Sequence, residues 1–186
     1  MPSETEPRTE WTPLVRGGEG LSTHRLVPFE GGLWMRKSLG SVYLGGLGLA
    51  LGGALIGVGV LAATREPTAG SGIALFLGLV FLAGGLLYLM PKGARFDERR
   101  RLVSLGRQQV PFSNIAALQL VRELVDGDET TFMAWELNLV LRDGSRLNVV
   151  DHAGGAQLRE EATRLGQLIG CPVWEREAQP PGAAGA

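Results

Sequence analysis

From Ser38 to Thr64 the chain runs for 27 residues without a single charge. A helix rises about 1.5 Å per residue, so this run spans about 40 Å, more than the roughly 30 Å hydrocarbon core of a bilayer. A second uncharged run of 18 residues, from Ile73 to Met90, is just long enough to return. The polar break Arg65-Glu66-Pro67-Thr68 and the flexible Ala69-Gly70-Ser71-Gly72 between them form a link too short to hold a domain. The pattern predicts an antiparallel transmembrane hairpin within residues 38–92, with spans at about 38–64 and 73–90.

The first run contains GGLGLALGGALIGVGVL, residues 45–61, in which Gly57, Gly59 and Ala62 formally match a dinucleotide-binding fingerprint. That fingerprint needs a preceding strand, a helix opening at the glycines and an acidic residue about 20 positions later. Position 77 is Leu77, inside the second apolar run, so no nucleotide cofactor is expected. Glycine has a packing reason instead, because small residues let two helices in lipid approach closely. Ser41, Gly45, Gly53 and Gly57 form an i, i+4 stripe interrupted at Leu49, Gly48 and Gly52 widen it, and Ala74, Gly78 and Gly85 offer a counterpart on the second helix. The stripe serves either packing within the hairpin or self-association of two chains through the same face.

Basic residues set the orientation. Arg25, Arg36 and Lys37 precede the first span and Lys92, Arg95, Arg99, Arg100 and Arg101 follow the second, against Arg65 in the link. The positive-inside rule therefore puts both termini in the cytoplasm of a multi-pass protein. The first run starts after 37 residues and is too long for the core of a cleaved signal peptide. Channels and pumps bury ionisable groups in their spans, and these spans hold only Ser, Thr and Tyr near their ends, which argues against transport. A net charge of -1 argues against nucleic-acid binding, and one cysteine with two histidines leaves neither an internal disulfide nor a metal cage.

Residues 1–37 read as a cytoplasmic segment, partly disordered, in which Trp11, Leu14, Val15, Leu21, Leu26 and Val27 make the 11–27 stretch too apolar for a free tail. It is expected either to lie on the bilayer surface or to dock onto the C-terminal domain, with Trp34 as an interfacial anchor. From Gly93 the apolar period shortens to two. Met133, Trp135, Leu137, Leu139 and Leu141 alternate with Glu136, Asn138 and Arg142, and Asp143-Gly144 predicts a two-residue hairpin turn. ARFDERRRLVSL reads as a second hairpin around Glu98-Arg99-Arg100, and NIAALQLVREL as a long strand with a bulge near Val121-Arg122. Leu158, Ala162, Leu165 and Leu168-Ile169 define one face of a helix that Gly170 and Pro172 end. The fold class expected is α+β: a transmembrane helix pair, then five or six antiparallel strands with a C-terminal helix over residues 93–175, then a disordered tail at 176–186.

The phrases FDERRRLVSLGRQQVPFSNIAALQLVRE and WELNLVLRDGSRLNVVDH, followed by a helix ending LIGCPVWE, resemble the bacterial pleckstrin-homology-like (PH-like) domains found behind one or two membrane spans. The resemblance covers about residues 93–175 and rests on the order of elements, and GGEGLSTHRL before the first span is similar to bacterial membrane proteins of this layout. It implies a non-enzymatic binding or assembly module at the cytoplasmic face of the inner membrane, with the bilayer and a membrane or cytoplasmic protein as partners. An accessory subunit of a larger membrane complex is the alternative, and a membrane enzyme the least favoured one.

Other candidate chemistry reads more simply as structure. Asp151 and His152 are adjacent on a strand end and point apart, which suits a strand-end and helix-capping role better than acid–base catalysis. Cys171 follows a helix C-terminus, where the dipole disfavours a thiolate. Asp126-Gly127-Asp128-Glu129 lacks the spaced ligands of a calcium loop. The arginine turn 99–101, with Arg95 and Lys92 before it, is the candidate contact for anionic lipid. Family resemblance places a head-group site at such a hairpin loop, whereas juxtamembrane arginines also meet anionic lipid nonspecifically.

Overall fold

The computed structural model describes residues 10–15, 22–90, 93–126 and 131–177. These divide into two units, one formed by the residues before 37 together with those after 92, the other by residues 37–92.

The second unit is a pair of helices, α1 (Leu39–Arg65) and α2 (Ala69–Leu89), each long and apolar enough to cross a membrane. Ser38 caps α1, its side chain accepting from the Ser41 amide. Thr68 caps α2 in a capping box with Ser71. That box corrects the expected second span: the link Ala69–Gly72 is the first turn of α2, which therefore starts four residues before Ile73. The fully buried residues of the pair are Ser41, Gly45, Gly52 and Gly59 on α1 and Ser71, Gly78 and Gly85 on α2.

The other unit opens with a hairpin, β1 (His24–Phe29) and β2 (Gly32–Lys37). It continues after the helix pair with β3 (Ala94–Asp97), β4 (Leu102–Leu105) and β5 (Gln108–Pro111), and the five strands form one sheet in the order β1-β2-β3-β4-β5. The helix pair is thus inserted between β2 and β3, which pair antiparallel with Trp34 opposite Arg95 and Met35 opposite Ala94. Residues 24–29 and 32–37, which precede the first apolar run, are therefore sheet, and Trp34 is a strand residue within it. A 3₁₀ turn at Phe112–Asn114 leads to the second sheet, made of β6 (Ile115–Asp126), β7 (Thr131–Leu141), β8 (Arg146–His152) and β9 (Val173–Glu177) in the order β8-β7-β6-β9. Helix α3 (Gly155–Ile169) precedes β9 and packs on β6, β7 and β9.

Five details depart from the sequence expectation. Among the described residues seven strands, β3 to β9, follow residue 93 where five or six were expected. β9 runs parallel to β6, so the second sheet is mixed and ordered strand extends past residue 175. The register is unbroken at Val121–Arg122, and the irregularities fall between Ile115 and Ala117 and between Leu137 and Asn138. Asp143-Gly144 does not make a two-residue turn. The Gly144 amide donates to the Leu141 carbonyl and the Leu141 amide to the Ser145 carbonyl, which closes a three-residue loop in which Gly144 alone has a positive φ, +84°. A two-residue primed turn would force a positive φ on a second, non-glycine residue, and the longer loop avoids it. Finally, α3 starts at Gly155 after Gly154 at the cap position, with no side-chain cap, while His152 Nδ1 accepts the Gly154 amide at 2.9 Å.

The two sheets and α3 share one core. Met35, Phe96 and Val103 enter it from the first sheet, Leu118, Leu120, Leu137 and Leu139 from the second, and Leu158, Ala162 and Leu165 from the helix. Alternation along each strand therefore leaves every sheet with an outer face.

Candidate functional site

The outer face of the first sheet collects the arginines that the sequence singles out. Phe29, Glu30, Arg95, Asp97, Arg99, Arg100, Leu102 and Ser104 line an open cleft of about 380 Å³ at the end where the β1–β2 and β3–β4 turns meet. The turns are joined by backbone, Glu98 N donating to Gly31 O at 2.8 Å. The Arg95 guanidinium lies 4.6 Å from the Phe29 ring centre and 5.7 Å from that of Trp34, a stacked arrangement that keeps the charge while fixing the side chain. Arg99 reaches Glu30 at 3.4 Å, and both side chains are largely in solvent. Arg100 lies 4.0 Å from Asp97 and donates its amide to the same carboxylate at 2.9 Å.

Arg101 does not belong to this cleft. It adopts φ +54°, the one positive φ of a non-glycine among the described residues, and its guanidinium donates to the Leu168 and Ile169 carbonyls at 3.3 Å each. It also lies 4.8 Å from the Phe112 ring centre. Arg101 thereby caps the C-terminus of α3, satisfying carbonyls that the last helical turn leaves without partners. Lys92 lies outside the described residues. The cleft is less basic than the bare sequence implies, since Arg95, Arg99 and Arg100 are opposed by Glu30 and Asp97. Phe29, which ends β1, and Glu30, in the turn after it, lie 60 and more residues away in sequence, and no local pattern ties them to the arginine turn.

The helix-packing residues are rearranged too. A Cβ built on Gly52 would lie 2.8 Å from the Gly78 carbonyl oxygen, one on Gly48 would lie 3.4 Å from the Gly85 Cα, and one on Gly45 would lie 2.6 Å from the Leu89 side chain. Gly53 and Gly57 are off the seam, with nothing within 4 Å of an added Cβ, and Ala74 is only half-buried. Gly59, packed on Leu75, and the buried Ser71 take their places. An i, i+4 row drifts about 40° around a 3.6-residue helix at every step, so four steps carry Gly57 to nearly the opposite side from Ser41. Alternating steps of four and three, as in Ser41, Gly45, Gly48 and Gly52, hold one face.

Of the remaining candidates, His152 is fully buried at the end of β8 opposite Trp135, and Asp151 faces the other side opposite Glu136. Cys171 is part-buried, which pushes its thiol up to about 11. Asp126 accepts from the Thr131 hydroxyl at 3.2 Å, and the rest of that acidic turn lies outside the described residues. No group of three or more His, Cys, Asp or Glu side chains able to hold a metal occurs among the described residues.

A different cluster covers the outer face of the second sheet, and of the two placements expected for residues 11–27 the described part, residues 11–15, takes the one on the C-terminal domain. Gln119, Glu136 and Asn138 point outward from β6 and β7 yet are 0%, 3% and 0% exposed, because residues 10–15 lie over them. The linking hydrogen bonds join side chains of the sheet to backbone of that segment, Glu136 accepting and Gln119 and Arg146 donating. Comparison of the chain with protein-family models, curated proteins and solved structures finds no match.

Proposed function

We propose that this protein is a non-enzymatic integral membrane protein whose helix pair crosses the bilayer and holds a PH-like binding domain at the cytoplasmic face of the inner membrane. The observation that carries the reading is the inverted packing of the helix pair. Every fully buried residue on it is Gly or Ser, whereas Leu39, Tyr43, Leu47, Leu61, Phe76, Leu79 and Leu87 are exposed. In water such a surface far exceeds the apolar patches that soluble monomers tolerate; in lipid it is the ordinary outside of a span. The basic flanks favour cytoplasmic ends. Two sheets over a shared core with a helix packed on one of them support a binding module, and the arginine cleft supports contact with anionic lipid.

The test is labelling in intact cells. In a Cys171→Ser background, Glu66→Cys in the exposed interhelical link should react with an impermeant thiol reagent, and Gln109→Cys on exposed β5 should not. Equal labelling at both positions would refute the two-span hairpin. An accessory or self-associating role is favoured by one observation: Gly46, Gly53 and Gly57 have open space where a side chain would sit. Co-purification in mild detergent distinguishes that role, since a stoichiometric second chain, or a second copy, would be recovered.

A further inference from the structure

Residues 10–15 are held in an unusual way. The Leu14 and Val15 amides donate to Glu136 Oε1 and Oε2 at 3.0 and 2.8 Å. Gln119 Nε2 donates to the Glu10 carbonyl at 3.0 Å, and Arg146 Nη1 to the Thr12 carbonyl at 2.8 Å. Four main-chain groups are thus read by three side chains. The segment's own side chains contribute little beyond one anchor: Leu14 and Val15 are 44% and 47% exposed, whereas Trp11 is 4% exposed with the Arg176 guanidinium 4.9 Å from its ring centre. Glu10 adds a longer ion pair, 3.8 Å from Arg146.

The reading side chains are fixed by one another. Asn138 Nδ2 donates to Gln119 Oε1 at 3.4 Å and also to Glu136, Asn148 Nδ2 donates to Asn138 Oδ1 at 3.4 Å, and Arg146 Nη1 donates to Gln119 Oε1 at 3.2 Å. Such a ladder ties its side chains to one another as well as to the segment lying over it, an arrangement suited to a binding surface. A segment that only sealed the fold would bury apolar side chains on an apolar face, whereas this one places backbone on a ladder of amides, a carboxylate and a guanidinium.

We propose that the outer face of β6, β7 and β8 is a binding site for a short irregular peptide segment, occupied in cis by residues 10–15. Its ligand in trans is a peptide of the same pattern: an acidic residue, then Trp, with free amides three and four positions after the Trp. The requirement for free amides excludes proline at those two positions, since each must donate to Glu136. The cis segment is tethered, so its effective concentration suppresses the trans ligand until the tether is loosened. The site lies within one unit and does not depend on whether the helix pair spans a membrane.

The experiment uses the full chain in detergent micelles and a fluorescein-labelled peptide of residues 7–18, PRTEWTPLVRGG, followed by anisotropy. Trp11→Ala in the full chain should bind the peptide at least tenfold more tightly than the unaltered chain does. Trp→Ala in the peptide, or Arg176→Gln added to the Trp11→Ala chain, should weaken that binding at least fivefold. A Trp11→Ala chain that melts cooperatively yet shows no saturable binding, or binds both peptides alike, would overturn the proposal. Should that variant fail to fold, Leu14→Pro, which removes one amide donated to Glu136 and leaves Trp11 in place, replaces it: that chain should also bind the peptide more tightly than the unaltered chain does, and equal or absent binding would overturn the proposal.

Discussion

Gly52 and Gly78 meet backbone to backbone across the helix pair, a Cβ on Gly52 falling 2.8 Å from the Gly78 carbonyl oxygen and one on Gly78 falling 2.9 Å from that of Gly52. Neither backbone has a flexible end that can move aside. Gly52→Ala should therefore force the helices apart and cost about 1–3 kcal/mol of pair stability. Gly53→Ala, one residue along and open to its surroundings, should be neutral or stabilising by up to about 1 kcal/mol through helix propensity. Loss of helical signal during titration with a denaturing detergent measures both. Equal losses at the two positions would place the seam elsewhere.

Arg101 combines a strained backbone with a useful side chain. Arg101→Ala keeps the strain at φ +54° and removes the two bonds to the Leu168 and Ile169 carbonyls, so it should lower stability by about 1 kcal/mol. Arg101→Gly loses the same bonds but relieves a left-handed conformation worth about 1–2 kcal/mol for an L-residue, so it should melt above the alanine variant. Thermal melts followed by near-ultraviolet circular dichroism rank the two, and the reverse order would remove the case for strain.

Arg99 and Arg100 should act on anionic membranes as separate charges. Changing either to Gln should weaken binding of the reconstituted chain to anionic vesicles by a similar amount, about 1 kcal/mol, and added salt should erase the difference. Arg101→Gln should have the smaller effect, because its guanidinium is engaged at the end of α3. A single arginine carrying most of the affinity, with preference for one head group at physiological salt, would convert the cleft into a specific ligand site.

Burial raises the Cys171 thiol from 9.0 to about 11. At pH 8 its thiolate fraction is therefore well below that of an unfolded cysteine, so alkylation of the folded chain should be markedly slower than that of the unfolded chain. The folded state holds this proton more tightly than the unfolded state, so stability from this group is present below pH 9 and declines as pH rises from 9 towards 11. Cys171→Ser should remove that part of the alkaline decline. Rapid alkylation at neutral pH without unfolding would show the thiol to be accessible and ionised.

What the sequence alone determined is local. Two uncharged runs of 27 and 18 residues admit little besides a helix pair, because only that length and composition suits apolar surroundings. The period-two alternation through Met133–Leu141 and the one-sided pattern of residues 158–169 specify β7 and α3, because each periodicity lies within one element. Tertiary structure decided everything that depends on meetings between distant segments. Leu26 and Met35 are compatible with a surface-lying stretch as well as with a sheet, and only pairing of β2 with β3 across the intervening helices selects the sheet. Small residues occur all around α1, so composition cannot say which of them face α2; the 3.6-residue turn selects Gly52 and rejects Gly53. The polar ladder of Gln119, Glu136 and Asn138 reads in sequence as a solvated strand face, and becomes buried only because backbone of residues 10–15, more than 100 positions earlier, supplies its hydrogen-bond partners.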